Sequence, residues 1–96
     1  MEVTATDKLD DFGKQHPDAK KKLATWLKVV EKATWSKWAD VKVTYAAASI
    51  YRCCIVFNIG SYRLIVRRSD WKSLYVVGVY THEEYDKDKW KASWEG

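Results

Sequence analysis

The stretch that most constrains this chain is "CCIVFNIGSYRLIVRR", residues 53–68, in which two β-prone runs flank a Gly-Ser pair. Val, Ile, Phe and Tyr fit a pleated, half-buried surface. A Gly-X loop of two residues suits a type II′ hairpin turn, whose first central position needs positive φ. That turn sets the register. Ile59 faces Tyr62, Asn58 faces Arg63, Phe57 faces Leu64, Val56 faces Ile65, Ile55 faces Val66 and Cys54 faces Arg67. Neighbouring side chains alternate across a sheet, so the two faces separate. One holds Ile55, Phe57, Ile59, Tyr62, Leu64 and Val66 and is nearly pure core. The other holds Cys54, Val56, Asn58, Arg63, Ile65 and Arg67. Arg63, Ile65 and Arg67 then form a row about 13 Å long between its outer Cα atoms. The plain reading is a solvent face that carries arginines. The sharper one is an open cationic cleft between two aligned guanidinium groups.

The flanking segments supply the second layer. "MEVTA" reads as a short strand and "TDKLDDFGKQH" as a short helix capped by Thr6 or Asp7. Pro17 suits the first turn of a second helix, "PDAKKKLATWLKVVEKA". Leu23, Trp26, Leu27, Val30 and Ala33 follow its i, i+3, i+4, i+7 stripe, and Lys20, Lys21, Lys28 and Lys32 occupy the solvated side. "TWSKWADVKVTY" fits a third short helix with Trp35, Trp38 and Val41 on one stripe. "RSDWK" is a turn, and "SLYVVGV" is the last strand of an antiparallel meander. By alternation Val77 falls on one side with Tyr75 and Val79. An amphipathic helix over the apolar sheet face makes this an α+β, two-layer domain.

At 96 residues the chain is one domain, with a polar tail from about residue 88 that carries Trp90 and Trp94. The net charge is +4, and all four arginines (Arg52, Arg63, Arg67, Arg68) fall between residues 52 and 68. A guanidinium matches phosphate with a planar fork of donors, so clustered arginines point to a polyanion more than scattered lysines do. No apolar run is long enough to span a membrane. The start, "MEVTATDKL", lacks the basic and apolar regions of a signal peptide. Cys53 and Cys54 are adjacent, so in a strand they point apart and do not bridge each other. No metal-ligand spacing is present. These features point to a reduced, cytoplasmic protein with neither metal nor cofactor.

"YTHEEYDK", residues 80–87, stands where the last strand stops. Thr81 and Glu84 have the Thr-x-x-Glu form of a capping box, which starts a helix. His82 and Tyr85, three apart, then share a side. A histidine in a first helical turn feels the positive end of the dipole, which favours the neutral imidazole and so a proton acceptor. The plain alternative is a surface histidine.

Taken in order, "HPDAKKKLATWLKVVEKATWSKWADVKVTY", "VFNIG", "YRLIVR" and "THEEYDK" resemble the HigB-type toxins of bacterial toxin–antitoxin systems, in the RelE-like superfamily. The resemblance runs over roughly residues 7–90. It implies a small twisted antiparallel sheet with N-terminal helices packed on one face and a short C-terminal helix. It implies a ribosome-dependent mRNA endonuclease, working without metal by attack of the RNA 2′-OH on the adjacent phosphate. It also implies a HigA-like helix-turn-helix antitoxin as partner, with operator DNA bound only through the toxin–antitoxin complex, and no membrane. Carried over by position, Arg63 serves the scissile phosphate, His82 is the general base or acid, and Tyr85 stacks on a base or bonds a phosphate. Arg67, Asn58, Lys42 and Arg68 become RNA contacts, with Asn58 placed to orient Arg63.

The sequence departs from the pattern twice. Relatives often carry an arginine in the last strand where this chain has Val77, and a longer loop where it has Gly60-Ser61. A module that binds antitoxin, ribosome or RNA without cleaving is therefore the alternative reading. A purely protein–protein role, with the six tryptophans as partner anchors, is a third.

Overall fold

The computed structural model of the chain describes residues 1–87. In chain order the elements are β1 (Glu2–Thr4), α1 (Asp7–Gln15), α2 (Pro17–Lys32), α3 (Trp38–Thr44), β2 (Ser49–Tyr51), β3 (Cys54–Ile59), β4 (Tyr62–Arg68), β5 (Ser73–Thr81) and α4 (His82–Asp86). The strands form one sheet in the order β1-β5-β4-β3-β2. The domain is α+β, and the polar tail with Trp90 and Trp94 lies outside the described residues.

The β3–β4 hairpin has the expected register, from Ile59↔Tyr62 to Cys54↔Arg67. Of the two turn residues, only Gly60 takes positive φ, at +60°. The helix-facing side of the hairpin is a dry aromatic core. Phe57 meets Trp26 edge-on at 5.4 Å, stacks with Trp35 at 6.4 Å, and meets Tyr45 edge-on at 5.2 Å. Leu23 and Val30 of α2 and Val41 of α3 are buried in the same cluster, and Trp38 packs on its margin. Pro17 occupies the first turn of α2, where its missing N–H removes no bond. Thr6 holds the N-cap position of α1, but its side chain makes no capping bond.

Two expectations need correction. The first is the antiparallel sheet. β2 to β5 are antiparallel neighbours, but β1 lies parallel to β5, pairing Glu2↔Ser73 through Thr4↔Tyr75. The sheet is therefore mixed. A parallel pair needs a long connection, and here six intervening elements supply it. The terminal ammonium of Met1 donates to the carbonyls of Val30, Glu31 and Ala33 at 3.3, 3.0 and 3.0 Å. It thus satisfies the carbonyls of Glu31 and Ala33 at the C-terminus of α2 and shares that of Val30 with the Ala33 N–H, which ties the start of β1 to that helix end.

The second correction concerns β5. Its register against β4 steps from Ile65↔Gly78 to Val66↔Val76, leaving Val77 as the extra residue of a β-bulge. Alternation breaks there. Tyr75 and Val77 lie on the side away from the helices, whereas Val79 belongs to the helix-side core. Val77 and Val79 are on opposite faces, not on one.

A third contact sets the corner between α1 and α2. Phe12 stacks on His16 at 4.3 Å and meets Tyr62 edge-on at 5.0 Å. The Tyr62 hydroxyl donates to the Asp18 carboxylate at 2.9 Å, and that bond is the main reason its pKa rises above the ordinary phenol value. The helical corner is thereby latched to the first residue of β4.

Candidate nucleic-acid interface

The sheet face away from the helices has its own small apolar floor. Cys54, Val56 and Ile65 are buried, with Tyr51, Val77, Tyr80 and Tyr85 packed around them. Ile65 sits opposite Gly78, and the Tyr80 ring lies across that glycine. A Cβ on Gly78 would come within 2.9 Å of the Tyr80 hydroxyl. The missing side chain is what lets tyrosine cover the floor. Burial pushes the Tyr80 phenol above its ordinary value and is the main cause of the Cys54 thiol rising to about 11. That thiol stays protonated at neutral pH and behaves as an apolar group. Both cysteines are free.

Around this floor the guanidinium groups pair with tyrosines. Arg63 lies 5.9 Å from the centroid of the Tyr85 ring and donates from Nη1 to the Tyr62 carbonyl at 3.2 Å. Arg67 lies 5.3 Å from the Tyr75 ring, and Arg52 lies 5.8 Å from the Tyr51 ring. Arg52 takes positive φ, +54°, in the tight turn joining β2 to β3. A non-glycine residue held there marks local backbone strain. Each of these cation–ring contacts is worth only about 0.5–1 kcal/mol at a part-exposed site. Stacking a nucleobase on an aromatic ring is worth about 1–3 kcal/mol.

The expected open cleft between Arg63 and Arg67 is not there. The two share a face, but completely buried Ile65 fills the middle of the row, and the arginines lean outward onto different tyrosines. The result is a cation-and-aromatic platform with an apolar floor. Alternation placed the two arginines correctly. It gave no sign that Ile65 would be roofed by tyrosines from β2, β5 and α4.

The structure divides the remaining candidates. Tyr85 is gathered in, half-buried between Arg63 and the floor. The capping box is complete, with Glu84 N–H donating to the Thr81 hydroxyl at 3.2 Å and Thr81 N–H to the Glu84 carboxylate at 3.0 Å. That second bond is the main reason the Glu84 carboxyl titrates below its usual range. His82 turns outward, 65% exposed, with Nδ1 3.1 Å from the Asp86 carboxylate. Asp86 can hold the tautomer with Nδ1 protonated and leave Nε2 to solvent. His82 and Tyr85 thus occupy the same short helix without the same surroundings. Asn58 is exposed and pairs with Arg63 across the ladder.

Two candidates lie elsewhere. Lys42, on α3 beside core residue Val41, belongs to the helix layer, where its ammonium donates to the carbonyls of Ala46 and, at 2.9 Å, of Ala48. It ties down the loop before β2. Arg68 alternates with Arg67 and rests 4.6 Å from the ring of Trp71, which packs on the helix-side core. Neither shares the platform.

The structure also adds residues that sequence reasoning passed over. Asp86 was signalled by the His-x-x-x-Asp spacing on a helix. Tyr51 and Arg52 were signalled only by their position at the hairpin mouth. Tyr75 and Lys8 meet across the fold, and no local spacing announces that contact.

Among the described residues no helix is long and apolar enough to cross a membrane. Residues 19–88, more than two thirds of the chain, match the family model described as HigB_toxin, RelE-like toxic component of a toxin-antitoxin system. No curated protein matches the chain.

Proposed function

The chain belongs to the HigB toxins, RelE-like toxic components of toxin–antitoxin systems, and from that membership we propose that it is an endoribonuclease that cleaves messenger RNA on the ribosome. The observation that carries this reading is the pairing of Arg63 with Tyr85 and of Arg67 with Tyr75 on one face of the sheet that no helix of the main layer covers. Stacking platforms beside guanidinium groups are what single-stranded RNA needs.

The chemistry follows from these groups. The 2′-oxygen attacks the adjacent phosphorus while the bond to the 5′-oxygen breaks. The 2′-hydroxyl proton passes to Nε2 of His82, whose ring Asp86 orients. The departing 5′-oxygen takes a proton from water, leaving a 2′,3′-cyclic phosphate and a 5′-hydroxyl, and the His82 imidazolium returns its proton to the resulting hydroxide. Arg63, swung from Tyr85 to the phosphate, meets the charge that builds on the equatorial oxygens. Tyr85, released from that contact, stacks on a base. Arg67 holds a flanking phosphate, and Asn58 orients Arg63 from the neighbouring strand. The ribosome supplies alignment of the message. A family of this kind has an antitoxin partner. In this reading it is HigA-like, carries the DNA-binding element, and meets the toxin in the cytoplasm.

Induction without antitoxin tests the proposal. Wild-type protein arrests growth and creates new 5′ ends within messages, while Arg63→Ala does neither. Growth arrest with no new message ends would replace cleavage by occlusion of the ribosome, the binding-only alternative. That alternative draws support from Ile65, which closes the space between the arginines.

A further inference from the structure

We propose that the cavity between α2 and the outer edge of β3 receives an acidic side chain from an extended segment of the antitoxin, the partner that a toxin of this family has. The cavity has a volume of about 350 Å³. It is lined by Lys21, Lys22 and Trp26 of α2, by Tyr45 just after α3, and by Asn58 and Ile59 of β3. That is the small end of the range for ligand pockets, roughly 300–1,000 Å³.

Its depth is apolar and its mouth is cationic. Trp26 and Ile59 are buried, whereas Lys21 and Lys22 are exposed. Lys22 leans over the hairpin turn, so close that a Cβ on Gly60 would lie 2.8 Å from its Nζ. The ion pairs found among the described residues are His82–Asp86 and Lys87–Glu83, so no carboxylate there matches either lysine. Trp26 is the most buried of the lining residues, and its indole N–H has no acceptor among the described residues. A buried donor left unpaired is costly, and such groups are rare in folded proteins. An ammonium and an indole N–H can only donate. The site therefore calls for a negatively charged acceptor on an apolar stem. A glutamate or aspartate side chain supplies both, with methylene carbon against Trp26 and Ile59 and a carboxylate for the lysines. A phosphodiester brings the charge without such a stem.

The backbone beside the cavity suits an extended peptide. β2 covers β3 only from Cys54 to Val56, so no strand lies against the outer edge at Asn58. Ile59↔Tyr62 closes the two-residue turn as a hydrogen-bonded pair, and ladder alternation then turns the N–H and C=O of Asn58 away from β4, towards that open edge. A strand added at such an edge pairs with the backbone and sets its alternate side chains into neighbouring pockets. Asn58 takes part here through its backbone, and no other residue of the cavity belongs to the proposed RNA machinery.

The first measurement uses the isolated protein. In an N–H correlation spectrum the Trp26 indole signal is assigned by its loss in Trp26→Phe. It should shift when a blocked glutamate, N-acetylglutamic acid α-methylamide, is added at millimolar concentration. The glutamine counterpart should leave it in place, and Lys21→Gln/Lys22→Gln should abolish the shift. The second measurement uses the wild-type toxin–antitoxin complex. A carbodiimide, which joins an amine directly to a carboxylate, should couple Lys21 or Lys22 to an acidic residue of the antitoxin. The double variant should bind antitoxin about 10-fold or more weakly. It should still bind a short 2′-O-methyl RNA as wild type does, read by fluorescence anisotropy. An indole signal that ignores the blocked glutamate overturns the site. A shift with glutamate but no cross-link to the antitoxin overturns the occupant. An indole signal moved by the RNA, with RNA binding lost in the double variant, gives the cavity to RNA and overturns the inference as well. Absence of message cleavage by wild-type protein would remove the RNA reading and leave the antitoxin site standing.

Discussion

The two faces of the central hairpin are built from alternate residues of the same two strands, and they are packed by different rules. Towards the helices, Phe57, Leu64 and Val66 meet Trp26, Trp35 and Val30, and the contacts are large, dry and apolar. Away from them, Cys54, Val56 and Ile65 make a floor too small to hold a layer of its own. Tyrosines roof it, and their rings in turn hold cations. Full burial of one large aliphatic side chain is worth about 1.5–3 kcal/mol, whereas a part-exposed cation–ring contact is worth about 0.5–1 kcal/mol. The first face holds the fold together. The second is built from smaller contacts of this kind, so in the proposed function its rings would exchange a guanidinium for a base at little cost to the fold.

Substitutions that separate stability from RNA chemistry test this division. The largest effect belongs to the helix side. Trp26→Ala, at a residue 1% exposed, is expected to cost about 3–5 kcal/mol, read as a collapse of the thermal or urea unfolding midpoint. Next comes Arg63→Ala. It should lower message cleavage by about 10²–10³-fold, the range for losing one transition-state donor. Its unfolding midpoint should stay near wild type, and a large drop there would mean that the open face carries stability after all. Tyr85→Leu keeps an apolar cover on Ile65 but removes the aromatic face. It should weaken binding of single-stranded RNA by about 1–3 kcal/mol in the anisotropy assay, with little change in melting temperature.

The smallest effect is at the cap that positions α4. Thr81→Ala should cost about 0.5–2 kcal/mol. The companion pH experiment has a definite sign. The Thr81 N–H holds the Glu84 carboxyl below its usual range, so its stabilisation is complete above the ordinary glutamate value of about 4.3. It is lost as pH falls through the lower folded-state value. The melting-temperature gap between wild type and Glu84→Ala should stay constant from neutral pH down to the ordinary glutamate range and close as pH falls through the lowered folded-state value. A gap that widens on acidification would reverse the assignment.

Legibility in the sequence followed the range of the interaction. The hairpin register was readable because a two-residue loop and a period of two leave one alignment, and Arg63 and Arg67 came out on one face for that reason. The capping box was readable because both partners lie within four residues. The bulge was not. In "YVVGVY" nothing local says which residue is extra, and that is decided by how β4 and α1 grip β5 from either side. So Val79 was assigned to the wrong face, and the cation that reaches Val77 was invisible. Lys42 and Arg68 were expected as RNA contacts from the resemblance, while packing sets one against loop carbonyls and the other beside Trp71.

By itself the sequence determined the alternating strands, the amphipathic second helix, the reversal at Gly60 and the start of the last helix, because each rests on chemistry between near neighbours. Tertiary structure alone decided the direction of β1, the roof of tyrosines over Ile65 and the arrival of Lys8 beside Tyr75, because those contacts join residues far apart in the chain. Their partners meet only after the core has set the layers in place.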